Sequence, residues 1–349
     1  MKFLSISGLV AGAAAFPHLL DLETLNGAAA NRLESRQTAP PQGAGALPAS
    51  PPPFDAATQY VSNQGVHKFV APGAGDERGE CPDETDSSPI KSDLNQYGSN
   101  TRFVMSQFYN LYNRQPDAST ANYNLEVLRA FRGDRFKESI AKNPYFAYLP
   151  FGGIEVSQAA FTFIYRFMSN KSAEYPEGRL NKEVLKSFMA VSGPENNLKH
   201  TPGYEKMPDS WYKRNPSDEY SVPYFEADIL YFAETQPEIL TIGCNRGSVN
   251  TYSPIDPAVL TNGVYPAQQI TKSPICFATQ YAIASLPLIT GLDTSSAALA
   301  PLVSTLNTLT KPPNCASIGA VNQSAFTACP GFSFYGGPTG PVAPGAIQS

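Results

Sequence analysis

Residues 155–168 read EVSQAAFTFIYRFM. Ala159, Ala160, Phe161, Phe163, Ile164 and Phe167 leave almost no polar stripe. The spacing predicts a helix that is apolar nearly all round and therefore central to its domain. Outward from it, 124–142 has Leu125, Val127, Leu128, Phe131, Phe136 and Ile140 at helical spacing, with Gly133-Asp134 as a candidate interruption and Asn143-Pro144 as the stop. The stretch 102–114 repeats the pattern with Phe103, Val104, Phe108, Leu111 and Tyr112, and Asn100 or Thr101 can cap it. Helices are also expected over 181–191, 223–234, 254–260, 275–286 and 295–308. Few segments alternate with period two, and 241–248 is the one short strand candidate. The expected fold class is mostly α: a single helical domain with long loops over 60–340.

Composition agrees with a globular chain. Of 349 residues, 42% are hydrophobic and 16% charged, with a net charge of −5. The acidic balance and the lack of a basic cluster argue against nucleic acid as a partner. Residues 1–15, MKFLSISGLVAGAAA, carry Lys2, an apolar stretch and a small-residue end, the pattern of a secretory signal peptide. Residues 16–59 form a Pro/Ala/Gly-rich leader or propeptide that lacks the apolar content for a core. No later apolar run reaches the roughly 20 residues that span a bilayer. The expected protein is secreted and outside the membrane. Asn170-Lys171-Ser172 and Asn322-Gln323-Ser324 are N-glycan acceptor sequences that suit that compartment.

Five cysteines leave one without an internal partner. Cys315 and Cys329 bracket a polar loop and are the expected disulfide; Cys244 and Cys276 either pair or stay buried. Cys81 is the natural odd one, although it could also be an inert thiol or pair with Cys244. It stands in 78–88, RGECPDETDSS. Pro82 suits the first position of a helix, and a sulfur at that cap faces the positive end of the helix dipole, which favours the thiolate a soft metal or heme iron needs. Asp83, Glu84 and Asp86 oppose this with negative charge. Glu84, Asp86 and Ser88 with an intervening carbonyl can converge on Mg²⁺, although the same residues suit a solvated acidic loop. With only His18, His67 and His200 in the chain, a histidine metal site has little to draw on. No serine-hydrolase, zinc or phosphate-loop motif is present.

These residues carry a family likeness. Arg78-Gly79-Glu80-Cys81-Pro82, after Ala71-Pro72-Gly73, resembles the heme-ligand segment of the fungal heme-thiolate peroxidases, the chloroperoxidases and unspecific peroxygenases of the heme haloperoxidase family. Glu84-Thr85-Asp86-Ser87-Ser88 resembles that family's Glu-Gly-Asp-x-Ser element, and 136–146, FKESIAKNPYF, its segment before the distal helix. The resemblance runs over about Val66 to Leu292. It implies heme b on the Cys81 thiolate, Mg²⁺ held by Glu84, Asp86, Ser88 and the Thr85 carbonyl, and H₂O₂-driven oxidation, oxygenation or halogenation of small organic substrates.

Two departures stand against full activity. Family members carry several dozen residues between Cys-Pro and the acidic triplet; here Asp83 alone lies between Pro82 and Glu84. Three residue steps reach about 10 Å at most. The chain resembles a member that has lost a segment in frame, or a gene model that omits it. The match from Asn143-Pro144 also puts Gly152 and Ala159 where the family has its distal Arg and Glu. Glu155, one turn from Ala159, is the substitute acid–base candidate, and equally an ordinary first-turn acidic residue. The alternative expectation is a catalytically impaired pseudoenzyme that serves as a secreted binding or structural protein.

Overall fold

The computed structural model describes residues 51–73, 103–290, 293–310 and 314–330. They form a mostly helical body with short strands and long loops. In chain order the helices are α1 Ala56–Gln59, α2 Met105–Tyr112, α3 Leu125–Lys142, α4 Ser157–Met168, α5 Lys182–Phe188, α6 Val222–Ala233, α7 Pro257–Leu260, α8 Ala267–Ile270, α9 Pro274–Thr290 and α10 Ala300–Thr310. A π turn, Pro150–Val156, leads directly into α4, and a 3₁₀ turn, Pro237–Leu240, follows α6.

The helix starts follow local chemistry. Asn124 Oδ1 accepts from the Val127 amide at 3.1 Å to open α3, and Asn181 Oδ1 does the same for Val184 at 2.9 Å in α5. Helix α2 begins later than its apolar pattern suggested, at Met105, with Val104 as an uncapped start; the proposed caps Asn100 and Thr101 lie outside the described residues. Gly133 does not break α3. It lies against the Gln236 side chain, where a Cβ would collide, so its missing side chain serves packing rather than a bend. Helix α9 runs past Pro287, beyond the expected stop at 286, at the cost of one ladder bond. Of 254–260, only the second half is helical, because Ser253–Pro254 joins a sheet instead.

Helix α4 sits in the centre as its composition demands. Phe161 is fully buried and meets the Phe131 ring of α3 edge-on at 5.8 Å. Each such ring contributes about 1.5–3 kcal/mol through burial. On its other side α4 is locked to α6. Arg166 Nε and Nη2 donate to Asp228 Oδ2 and Oδ1 at 2.8 and 2.6 Å, and the Tyr220 hydroxyl donates to Asp228 Oδ2 at 2.6 Å, all buried. Around this core lie two small antiparallel sheets. Strands β1 Ala147–Tyr148, β4 Gly243–Cys244 and β5 Ser253–Pro254 stand in the order β1-β4-β5, with Ala147 opposite Cys244 and Cys244 opposite Ser253. Strands β2 Val191–Ser192 and β3 Lys199–His200 form a separate hairpin.

The first described residues are docked. Gln59 is buried, its side-chain amide donates to the Lys213 carbonyl at 2.9 Å, and Phe54 meets the Tyr212 ring edge-on at 5.2 Å.

The disulfides correct the sequence expectation. Cys244 pairs with Cys329 and Cys276 with Cys315, the second bridge nested inside the first. Closeness in sequence pointed to Cys315–Cys329. Packing decides otherwise, since β4 and α9 bring Cys244 and Cys276 to opposite ends of the 314–330 segment.

Candidate active site around Glu155

The π turn determines where Glu155 points. Its extra residue per turn closes a bond from the Ser157 amide to the Gly152 carbonyl, which also accepts from Ser157 Oγ at 3.0 Å. Glu155 is thereby buried against α9, 7% exposed, where Thr279 Oγ1 donates to its Oε2 at 3.1 Å. Burial pushes its carboxyl up from 4.5 to about 8; the Thr279 bond pulls it back, and the Glu226 charge on α6 adds to the rise. Glu226 is also raised by burial, while its carboxylate accepts from Ser273 Oγ at 2.6 Å. At neutral pH Glu155 therefore holds a proton that an ordinary glutamate has released.

One turn on, the chain faces the other way. Gln158 Oε1 accepts from Arg132 Nε at 2.8 Å, and its Nε2 donates to the Tyr148 hydroxyl at 2.9 Å. Arg132 Nη2 donates to the same hydroxyl at 2.8 Å. Arg132 is fully buried, its Nη1 lacks a hydrogen-bond partner among the described residues, and the rings of Phe136, Tyr148 and Phe161 surround its guanidinium at 5.4–5.6 Å. Sequence reading named Tyr148 only as one of the aromatics, with Phe146, Phe151, Phe161 and Phe163, that could line an apolar pocket, and it missed Arg132, because an arginine in a charged helix such as α3 reads as surface. It also missed Thr279, whose partner lies 124 residues away.

Of the other candidates, Ala159 is half-buried in the core and Gly152 acts only through its carbonyl. Cys81, Glu84, Thr85, Asp86 and Ser88 lie outside the described residues. Among the described residues, no three His, Cys, Asp or Glu side chains gather as a metal site needs. A cavity of about 390 Å³ opens between α2 and α3, lined in part by Asn113, Arg114, Phe131, Asp134, Arg135 and Glu138. Another, of about 170 Å³, lies beside the Cys244–Cys329 bridge. Glu155 lines neither.

Residues 84–216 match the family described as peroxidase, family 2. The matched stretch takes in Glu84, Thr85, Asp86, Ser88 and Glu155 and leaves Cys81 just outside. The dothistromin biosynthesis peroxidase of Dothistroma septosporum is 31% identical over 262 residues, covering 72% of this chain and 61% of that protein. The aromatic peroxidase of Fusarium equiseti is 34% identical over 181 residues, covering 52% of this chain and 40% of its own length. The matched chain thus spans less than two thirds of these curated relatives. The matches support a fungal peroxidase family.

Proposed function

We propose that the chain is a secreted peroxidase-type oxidoreductase of the heme-thiolate kind, in which the Cys81 thiolate would hold heme b. In this reading Glu84, Asp86, Ser88 and the Thr85 carbonyl hold Mg²⁺, and H₂O₂ and a small organic molecule are the substrates. One observation carries the reading. The two disulfides consume four of the five cysteines, which leaves Cys81 as the remaining cysteine of the sequence. A lone thiol, able to ionise and bind a soft metal, fits the donor chemistry that a heme thiolate would need. The carboxylate and hydroxyl set that begins three residues later fits a hard cation. The peroxidase-named relatives support the same reaction class. Heme, when bound, supplies the peroxide-dependent oxidation, and the protein supplies ligation, a dry site and a proton.

Glu155 is the group of this chain suited to the proton. It is buried and protonated near neutrality, so it donates below about pH 8 and accepts above it. The signal sequence and the acceptor sequences at Asn170 and Asn322 complete the reading as a secreted glycoprotein.

A second reading has its own support. Glu155 does not line either cavity, and Asp83 alone separates Pro82 from Glu84. A catalytically impaired relative that serves as a secreted binding or structural protein accounts for both. A ferrous–carbon monoxide spectrum of the heme-supplied protein and of Cys81→Ala separates the two. A long-wavelength, thiolate-type Soret band that disappears in the variant supports the catalytic reading. No heme uptake, or a band indifferent to the substitution, overturns it in favour of the second.

A further inference from the structure

Glu155 has two polar neighbours whose work the reading above leaves unstated. On α9, Thr279 is fully buried and is the hydrogen-bond partner of the Glu155 carboxyl among the described residues. On α6, Glu226 is half-buried, and its carboxylate is tied down by Ser273 Oγ and the Ile275 amide. Ser273 and Ile275 flank Pro274, where α9 starts. Glu226 thus caps the helix that delivers Thr279 five residues later, at the end where the helix dipole favours a negative charge.

We propose that Thr279 and Glu226 are positioning residues for the Glu155 proton: Thr279 fixes the carboxyl and favours its ionised form, and Glu226, held at the start of α9, opposes that charge. The catalytic consequence rests on Glu155 being the acid–base group of the proposed peroxidase. The effect on the proton does not, because it belongs to the chain without heme.

The surroundings isolate these two neighbours. Besides Thr279, α9 brings the Tyr281 phenol, which burial keeps protonated. Strand β1 brings Tyr148, whose hydroxyl is engaged by Arg132 and Gln158. The 237–240 turn brings Glu238, which lies 3.7 Å from Lys137. On α4, Arg166 is committed to Asp228. Helix α10, packed on α9, has no ionisable side chain. No ion pair to Glu155 forms among the described residues, so burial sets how tightly the proton is held, and one hydroxyl and one like charge adjust it.

The test is an infrared titration of the heme-free protein, with the protonated-carboxyl band assigned by its loss in Glu155→Gln. Thr279→Val should move the band's midpoint up by about 1 pH unit, since a hydrogen bond to a charged group is removed. Thr279→Ser should restore it, and Glu226→Gln should move it down. No movement in either Thr279→Val or Glu226→Gln, or a Thr279→Ser variant that behaves like valine, overturns the inference. If Thr279→Val fails to fold, Glu226→Gln decides. Correct titration in a protein that takes up no heme would leave this inference standing and remove the peroxidase reading.

Discussion

Replacing Glu155 by glutamine should make the protein more stable in alkali and leave it nearly unchanged in acid. Glutamine has the same shape, and its carbonyl can still accept from Thr279. What it removes is ionisation. In the folded protein the carboxyl is raised from 4.5 to about 8. Between those values the folded chain keeps a proton that the unfolded chain has released. Stability from this group is therefore complete below pH 4.5, falls as the pH rises, and is gone once the pH passes about 8. A rise of that size corresponds to at most about 5 kcal/mol between the two limits. For a domain of this size, that is a difference in Tm of up to roughly 10 °C at pH 9. The assay is thermal unfolding of the heme-free wild type and Glu155→Gln, followed by circular dichroism at pH 5 and pH 9. Subtracting one from the other cancels the titrating groups that do not feel the Glu155 charge, leaving Glu226 as the coupled one. A difference in Tm that is the same at both pH values would refute the claim that this carboxyl is buried and protonated.

Lys171 should behave in the opposite sense. Burial, helped by the Arg214 charge, lowers its amine from 10.5 to about 7, so its stabilising contribution is present above 10.5 and is lost as the pH falls through about 7. Lys171→Met should therefore gain on wild type as the pH drops from 10 to 6, and a flat difference would contradict this. Asp228→Ala leaves the Arg166 guanidinium buried without its carboxylate and should cost about 3–5 kcal/mol in urea unfolding; a loss under 1 kcal/mol would mean the pair is not buried as described. Gly243→Ala would press a methyl into the Ser253 carbonyl oxygen across the β4–β5 pair, so a loss of at least ~1–3 kcal/mol is expected and an unchanged denaturation midpoint would refute that packing.

The helices were legible because their apolar spacing is strong. Around 155–168 the lack of a polar stripe announced the central position that α4 occupies. What the sequence withheld depends on distant partners. Glu155 looks like a first-turn acidic residue until α9 brings Thr279 onto it. Arg132 looks like a surface cation until Tyr148 and Gln158 close over it. Gly133 looks like a helix breaker until Gln236 is seen filling the space beside it. The disulfides failed for the same reason: a short loop suggested Cys315–Cys329, but pairing follows the surfaces that meet in the fold. The likeness at 78–88 falls on residues outside those described, and the family match begins within it, at residue 84.

Nesting has a consequence for the order in which this chain is made. A polypeptide growing from its N-terminus presents Cys244 and Cys276 before either of their final partners exists. Those two sulfurs are free to find each other, or the earlier Cys81, during that interval. The correct bridges can close only after the tail has arrived and been laid across β4 and α9. A Cys244–Cys276 bond is thus the mark of a molecule oxidised too soon, and the fraction carrying it would record how fast oxidation ran against synthesis.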